Sequence, residues 1–369
     1  MLLYFFIISC SIGSLLLVLE KSSRQKNNVN EKTLLYIVGA LSVAVLLSIY
    51  LMRGYGVGTD YPMYHSFYYF STDALKRFGI ENGYLVIYSI AKSLGMFWIV
   101  SLISFILYFS GFFILSRKLG LSLATFESML ILSYLFFTSF NMVRQMSAIG
   151  VVYLGIAFSG MFDFTQQFGL KRKILFILFV FLAAQFHSSA YVAVLFLLCR
   201  SINLNSRVVL FGSAIMSISY FLNIGNIIVP KIIYLFPHYV QKYSLIENDF
   251  FTSGSKGLIE YLPIFAQCMF LVIIIAYDSE FLSANKFMCN MYFVYLMLFA
   301  FGGNQAAIRI QDYWVPSMIY FYGAFFESKQ NSFFHLSSKL FKSLVLLFLV
   351  IYVILRLFRN VSNVVPYYI

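Results

Sequence analysis

The feature that most constrains this chain is the length of its uncharged apolar runs. "MLLYFFIISCSIGSLLLVL", residues 1–19, is followed by comparable runs along all 369 residues. A run of about 20 apolar residues spans the hydrocarbon core of a bilayer, and a backbone in lipid must hydrogen-bond to itself. Helices meet both demands. Continuous runs do not suit the short alternating segments of a β-barrel. Charged residues make up 11% of the chain, against about 25% in a soluble protein. The sequence therefore predicts an all-α, polytopic transmembrane protein, a single integral membrane domain over residues 1–369 with about 10–12 spans.

The expected spans are 1–19, 33–52, 96–115, 123–140, 142–160, 174–186, 188–199, 208–223, 258–277, 287–301, 312–326 and 341–355. No basic n-region or small-residue cleavage site marks the first run, so it reads as a retained span. The loop "EKSSRQKNNVNEK" that follows is basic and is expected inside, with the N-terminus outside. The excess of Lys and Arg on loops assigned inside comes from the N-terminal half. Beyond residue 174 the charges are balanced and do not fix orientation. Segment 174–199 reads either as one helix with His187 at its centre or as two half-length helices meeting at "FHSSA". The second reading places two larger loops outside: 53–83, with an amphipathic segment at 84–94 behind it, and 224–257, which has the composition of a lid.

Composition excludes several classes. The net charge of +12 lies mainly in loops between spans, where anionic lipid accounts for it without nucleic acid. Cys10, Cys199, Cys268 and Cys289 sit in or beside apolar runs and offer neither a disulfide framework nor zinc spacing. No P-loop, nucleophile elbow, dinucleotide fingerprint or external D-x-D appears, so the sequence calls for no cofactor and no metal.

Charge within or beside a span is costly and marks candidate chemistry. In "MRGYGVGTDYPMY", Arg53 precedes three glycines, and Asp60, Tyr61, Tyr64 and His65 follow. Arg53 and Asp60 read as an ion pair or as the polar floor of a site for a hydroxylated, charged substrate. In "FNMVRQMSAIG", Arg144 and Gln145 supply a fork of donors for phosphate oxygens, with snorkelling to headgroups as the plainer alternative. His187 is either a satisfied structural histidine or a base or donor in a cavity. Arg309, in "GGNQAAIRIQDYW", reads as a headgroup contact, a partner of Asp312 or a further cation of the site. Glu81, in "GIENGYL", adds a carboxylate.

Taken in order, "VGTDYPMY" after Arg53, "ENGY" at 81–84, "NMVRQMSA" at 141–148, "FHSSA" at 186–190 and Arg309 resemble the EpsG-like, Wzy-type family of bacterial polysaccharide polymerases. The resemblance implies a multispan membrane glycosyltransferase of GT-C-like architecture. Its site would face the outside of the plasma membrane, toward the periplasm where there is one. There it would move a growing glycan from undecaprenyl diphosphate onto a lipid-linked repeat unit, without a metal. On that resemblance Arg144 and Arg309 take the diphosphate charge, with Arg53 as a third cation and Gln145 beside Arg144. His187 is the first base and Asp60 the second, while Glu81 and Tyr64 position acceptor sugars. Undecaprenyl-linked oligosaccharides, membrane lipids and a chain-length regulator protein are the implied partners. A flippase for the same glycolipids is the alternative. It would need charges along the whole membrane depth, and the missing internal repeat speaks weakly against it.

Overall fold

In the computed structural model, the described residues are 2–23, 29–233, 258–301, 305–328, 332–333, 336–361, 364–365 and 367. Their regular structure is helical apart from one two-residue antiparallel ladder, Ser332–Phe333 with Leu336–Ser337. Two compact units form. The first holds Met1–Val194, Met318–Lys329 and Lys342–Ile369; the second holds Leu195–Ser317 and Gln330–Phe341.

The first unit begins with α1 (Leu2–Ser23) and α2 (Val29–Leu51). The glycine-rich stretch from Gly54 then ends helical structure until three short helices: α3 (Tyr61–Phe67), α4 (Thr72–Arg77) and α5 (Asn82–Ser93). Ser71 caps α4 by accepting from the Ala74 amide. Helix α6 (Trp98–Lys118) follows, then α7 (Leu123–Leu132), α8 (Leu135–Thr138), α9 (Val143–Ser159) and α10 (Leu170–Ala184).

Lipid offers no hydrophobic drive between helices, so close backbone approach and polar contacts must hold them. Helices α6 and α9 pack most extensively, and they cross at two glycines. A Cβ on Gly150 would lie 2.4 Å from the Leu107 carbonyl oxygen, and one on Gly111 would strike the Gly150 carbonyl. Outward, Leu178, Phe181, Phe211, Ile218 and Leu347 stand exposed, a surface that hydrocarbon solvates and water does not. The molecule is a membrane protein by this surface and its apolar helices.

Among the described residues, Trp98–Lys118 and Ser338–Phe358 are long and apolar enough to cross a bilayer alone; the other apolar stretches, such as Leu2–Leu17, Gly39–Leu51 and Val143–Ser159, are shorter. The expected count of 10–12 spans does not follow from helix length. Two expected spans are interrupted. The run 123–140 breaks at Tyr134, which takes a left-handed backbone (φ 67°). Its phenol donates to the Val361 carbonyl at 2.6 Å, and the Arg356 guanidinium lies 4.5 Å over its ring. The run 312–326 breaks ahead of Ser317, after Pro316, between helices Gln305–Gln311 and Ser317–Glu327. Segment 174–199 divides as the short-pair reading expects: α10 ends at Ala184, and a 3-10 helix starts at Ser188. Of the expected lid, helix Ile224–Ile233 is described, and 234–257 lies outside the described residues.

The α6–α9 crossing sets a stability test. Gly150→Val places side-chain atoms where backbone already stands, and it should cost at least about 2 kcal/mol. Gly13, with nothing within 4 Å of its added Cβ, should tolerate Gly13→Ala or gain about 0.5–1 kcal/mol from it. Thermal unfolding of the purified variants in detergent checks both. Equal melting of Gly150→Val and the unaltered protein would remove the crossing from the account.

Candidate active site

Three stretches far apart in sequence meet in the first unit. Glu81, the residue before α5, extends its carboxylate in two directions. Oε2 accepts from Arg144 Nη1 at 2.5 Å, and Oε1 accepts from the Ser188 backbone amide at 3.1 Å. The next residues of "ENGY" secure the contact. The Gly83 amide donates to the Gln185 carbonyl at 2.7 Å, and a Cβ there would come within 2.6 Å of the same oxygen. The Tyr84 hydroxyl lies 2.6 Å from Ser104 Oγ and 2.9 Å from Ser147 Oγ, and it donates to the Val143 carbonyl at 3.1 Å.

The Arg144–Glu81 pair is largely withdrawn from solvent, with side chains 14% and 10% exposed. Removing one member of such a pair strands the other charge, at a cost of about 3–5 kcal/mol. Arg144 is the second residue of α9, whose free N-terminal amides already make that end positive. A guanidinium there is electrostatically uphill, and Glu81 supplies the compensating charge. Nε of Arg144 is buried with no hydrogen-bond partner among the described residues. The pair is balanced in charge, and Nε remains as a further donor.

Tyr64, on α3, borders it. Burial holds its phenol above the ordinary range, against the opposing pull of the neighbouring Arg144 charge. The phenol therefore stays neutral and keeps its proton to donate. The Tyr88 hydroxyl donates to the Tyr64 carbonyl at 3.0 Å and fixes that turn. Asp60 is the half-buried residue before α3, and its side chain makes no capping bond. Its carbonyl accepts from the Tyr64 amide at 3.1 Å, so the two residues lie one helical turn apart. Gln145 is buried at 3% exposure.

His187 is buried in the turn after α10. Its Nδ1 accepts from the Ser189 amide at 3.2 Å and lies 2.9 Å from Ser189 Oγ. A backbone amide only donates, so the neutral ring carries its proton on Nε2. In this arrangement the outer nitrogen is a donor, not a base.

Arg53 follows α2 and is 4% exposed. Its guanidinium carbon lies 4.2 Å from the Tyr50 ring centre, 4.2 Å from Tyr61 and 5.2 Å from Phe140. Nη1 donates to the Tyr50 carbonyl at 2.9 Å. Nε and Nη2 have no hydrogen-bond partner among the described residues, so the ion pair with Asp60 read from the sequence does not hold them. Arg309 lies half-buried on helix Gln305–Gln311 of the second unit.

The structure thus brings Glu81, Arg144, Tyr64, Asp60 and the 187–188 turn into one neighbourhood of the first unit. Sequence reasoning missed Tyr84, Ser104, Ser147 and the Ser188 amide. The i, i+4 tyrosines of "GYLVIYSI", Tyr84 and Tyr88, were the available signal.

Residues 35–369, nearly the whole chain, match the EpsG family model. No curated protein and no solved structure matches the chain. Three of the five motifs that carried the resemblance are joined through Glu81, and the match gives the affiliation: the chain belongs to the EpsG family.

Proposed function

We propose that this EpsG-family protein is a polysaccharide polymerase. It would transfer a growing glycan from undecaprenyl diphosphate to a lipid-linked oligosaccharide repeat unit at the outer face of the bacterial plasma membrane, on a GT-C-like scaffold. The family supports a polymerase-type function. The observation that carries the finer reading is the convergence of Glu81, Arg144 and the Ser188 amide.

The reaction asks for two things. As the acceptor hydroxyl attacks the anomeric carbon, the bond from that carbon to the diphosphate oxygen breaks. The electron pair leaves with the diphosphate, and fixed positive charge must stabilise it there. Arg144, standing at the positive end of α9, is assigned this role, with Gln145 beside it. Glu81 orients the guanidinium and, with Tyr64, positions the acceptor sugar. The second need is a place for the acceptor's proton. With Nδ1 accepting from the Ser189 amide, the neutral His187 ring carries its hydrogen on Nε2, which favours it as a donor to a phosphate oxygen. Asp60 is the better carboxylate for the proton. Arg309 is assigned a diphosphate contact from its sequence motif alone.

The display of surface glycan tests this. Arg144→Ala should lower turnover about 100- to 1000-fold and leave cells with single repeat units on the lipid carrier. Arg309→Ala should do the same. Long-chain ladders of normal intensity from Arg144→Ala, with the protein present in the membrane, would sink the assignment.

Orientation has its own test. Cys10 is an exposed free thiol, so Cys10→Ser provides the background. In it, Ser188→Cys should react with a membrane-impermeant thiol reagent added to intact cells. Labelling only after the membrane is permeabilised would put the site on the other face.

A further inference from the structure

Arg53 is a buried cation that the proposed chemistry leaves unused. Its surroundings differ in kind from those of Arg144: two tyrosine rings at 4.2 Å, a phenylalanine ring at 5.2 Å and one backbone carbonyl. A guanidinium prefers such flat π faces because it is planar and weakly hydrated. The rings enclose it on these sides, and the Tyr50 carbonyl holds Nη1.

The cage draws on three elements, and two of them flank Arg144. Tyr50 is near the end of α2. Tyr61 is the first residue of α3, one turn ahead of Tyr64, whose phenol borders the Arg144 guanidinium. Phe140 lies in the turn between α8 and α9, four residues before Arg144. The loop after Arg53 is laid on that same turn through Gly58. Gly58 has φ 98°, and a Cβ on it would come within 2.7 Å of Asn141 Oδ1 and 3.1 Å of the Phe140 carbonyl oxygen. The Met142 amide then donates to the Thr138 carbonyl at 3.2 Å, and the Met146 amide to the Met142 carbonyl at 2.7 Å. The turn therefore passes directly into the first turn of α9.

We infer that Arg53 is a positioning residue: by clamping Tyr61 and Phe140 together it fixes α3 and the start of α9, and so places Tyr64 and Arg144. This deepens the proposed function, and its kinetic test rests on that reading. Its structural test does not.

The structural test is a double-mutant cycle on thermal unfolding in detergent. Glu81→Gln should destabilise the unaltered protein by breaking the pair with Arg144. In an Arg53→Lys background that loss should shrink by about twofold or more, because the pair is already displaced; contacting or coupled residues give such non-additive losses. Strictly additive losses overturn the inference. Tyr61→Leu, which keeps Arg53 but removes one ring, replaces Arg53→Lys if the latter does not fold, with the same expected outcome.

The kinetic test uses purified protein and lipid-linked repeat units extracted from cells lacking the gene. Arg53→Lys should lower kcat with KM unchanged, and should add nothing further to Arg144→Ala. A raised KM in Arg53→Met that Arg53→Lys restores would make Arg53 a phosphate ligand and overturn the inference. Absence of any turnover by the unaltered protein would count against the polymerase reading alone and leave the unfolding cycle to decide.

Discussion

One carboxylate, largely withdrawn from solvent, organises the first unit. Glu81 is 63 residues from Arg144 and 107 from Ser188 in sequence, yet it bonds to both. Each bond answers a need created by the other partner. Arg144 at the N-terminus of α9 adds positive charge where the helix is already positive. The Ser188 amide, at the start of a 3-10 helix, is a donor that helix geometry leaves unsatisfied. A single anion serves both, and in doing so ties α5, α9 and the turn after α10 together. Withdrawal from solvent makes the arrangement stringent, because each stranded charge or donor is expensive in a medium of low polarity.

The rest of the unit shows how polar groups are tolerated in an apolar chain. Tyr84 shares its hydroxyl among Ser104, Ser147 and the Val143 carbonyl, joining α5 to α6 and α9. Tyr4 and Tyr134 donate to the carbonyls of Val364 and Val361 at 2.6 Å each, and Tyr367 donates to Ile49 at 2.8 Å. Long aromatic side chains thus carry a hydrogen-bonding group across distances that serine cannot cover. Where helices must approach without such reach, as at Gly111 and Gly150, the side chain is dispensed with.

Much of this was legible in the sequence, and the misses have physical causes. Apolar runs gave the helical class because backbone self-satisfaction in lipid is nearly independent of side-chain detail. The break at "FHSSA" was visible because polar residues interrupt an apolar run. The break at Tyr134 was not, because "LILSYLFFTSF" is continuous in hydropathy and the left-handed turn accompanies a bond to Val361, 227 residues away. One reading of Arg53 paired it with Asp60, its nearest carboxylate in sequence, and the other made the two a polar floor. The rings that enclose Arg53 come partly from Phe140, which local spacing cannot reveal. For Glu81 the carboxylate was identified, but its partners were set by tertiary packing.

The contrast between the two arginines carries the functional argument furthest. Both are largely withdrawn from solvent, and both need their charge answered. Arg144 is answered by an anion, and a carboxylate oxygen can be exchanged for a phosphate oxygen with little change in local electrostatics. Arg53 is answered by π faces, and replacing these with an anion would mean separating packed rings. An arginine paired with a carboxylate is therefore suited to receive a charged substrate, whereas one caged by rings is suited to hold a shape. The same side chain, placed seven residues before Asp60 or second in α9, takes its role from the chemistry of whatever compensates it.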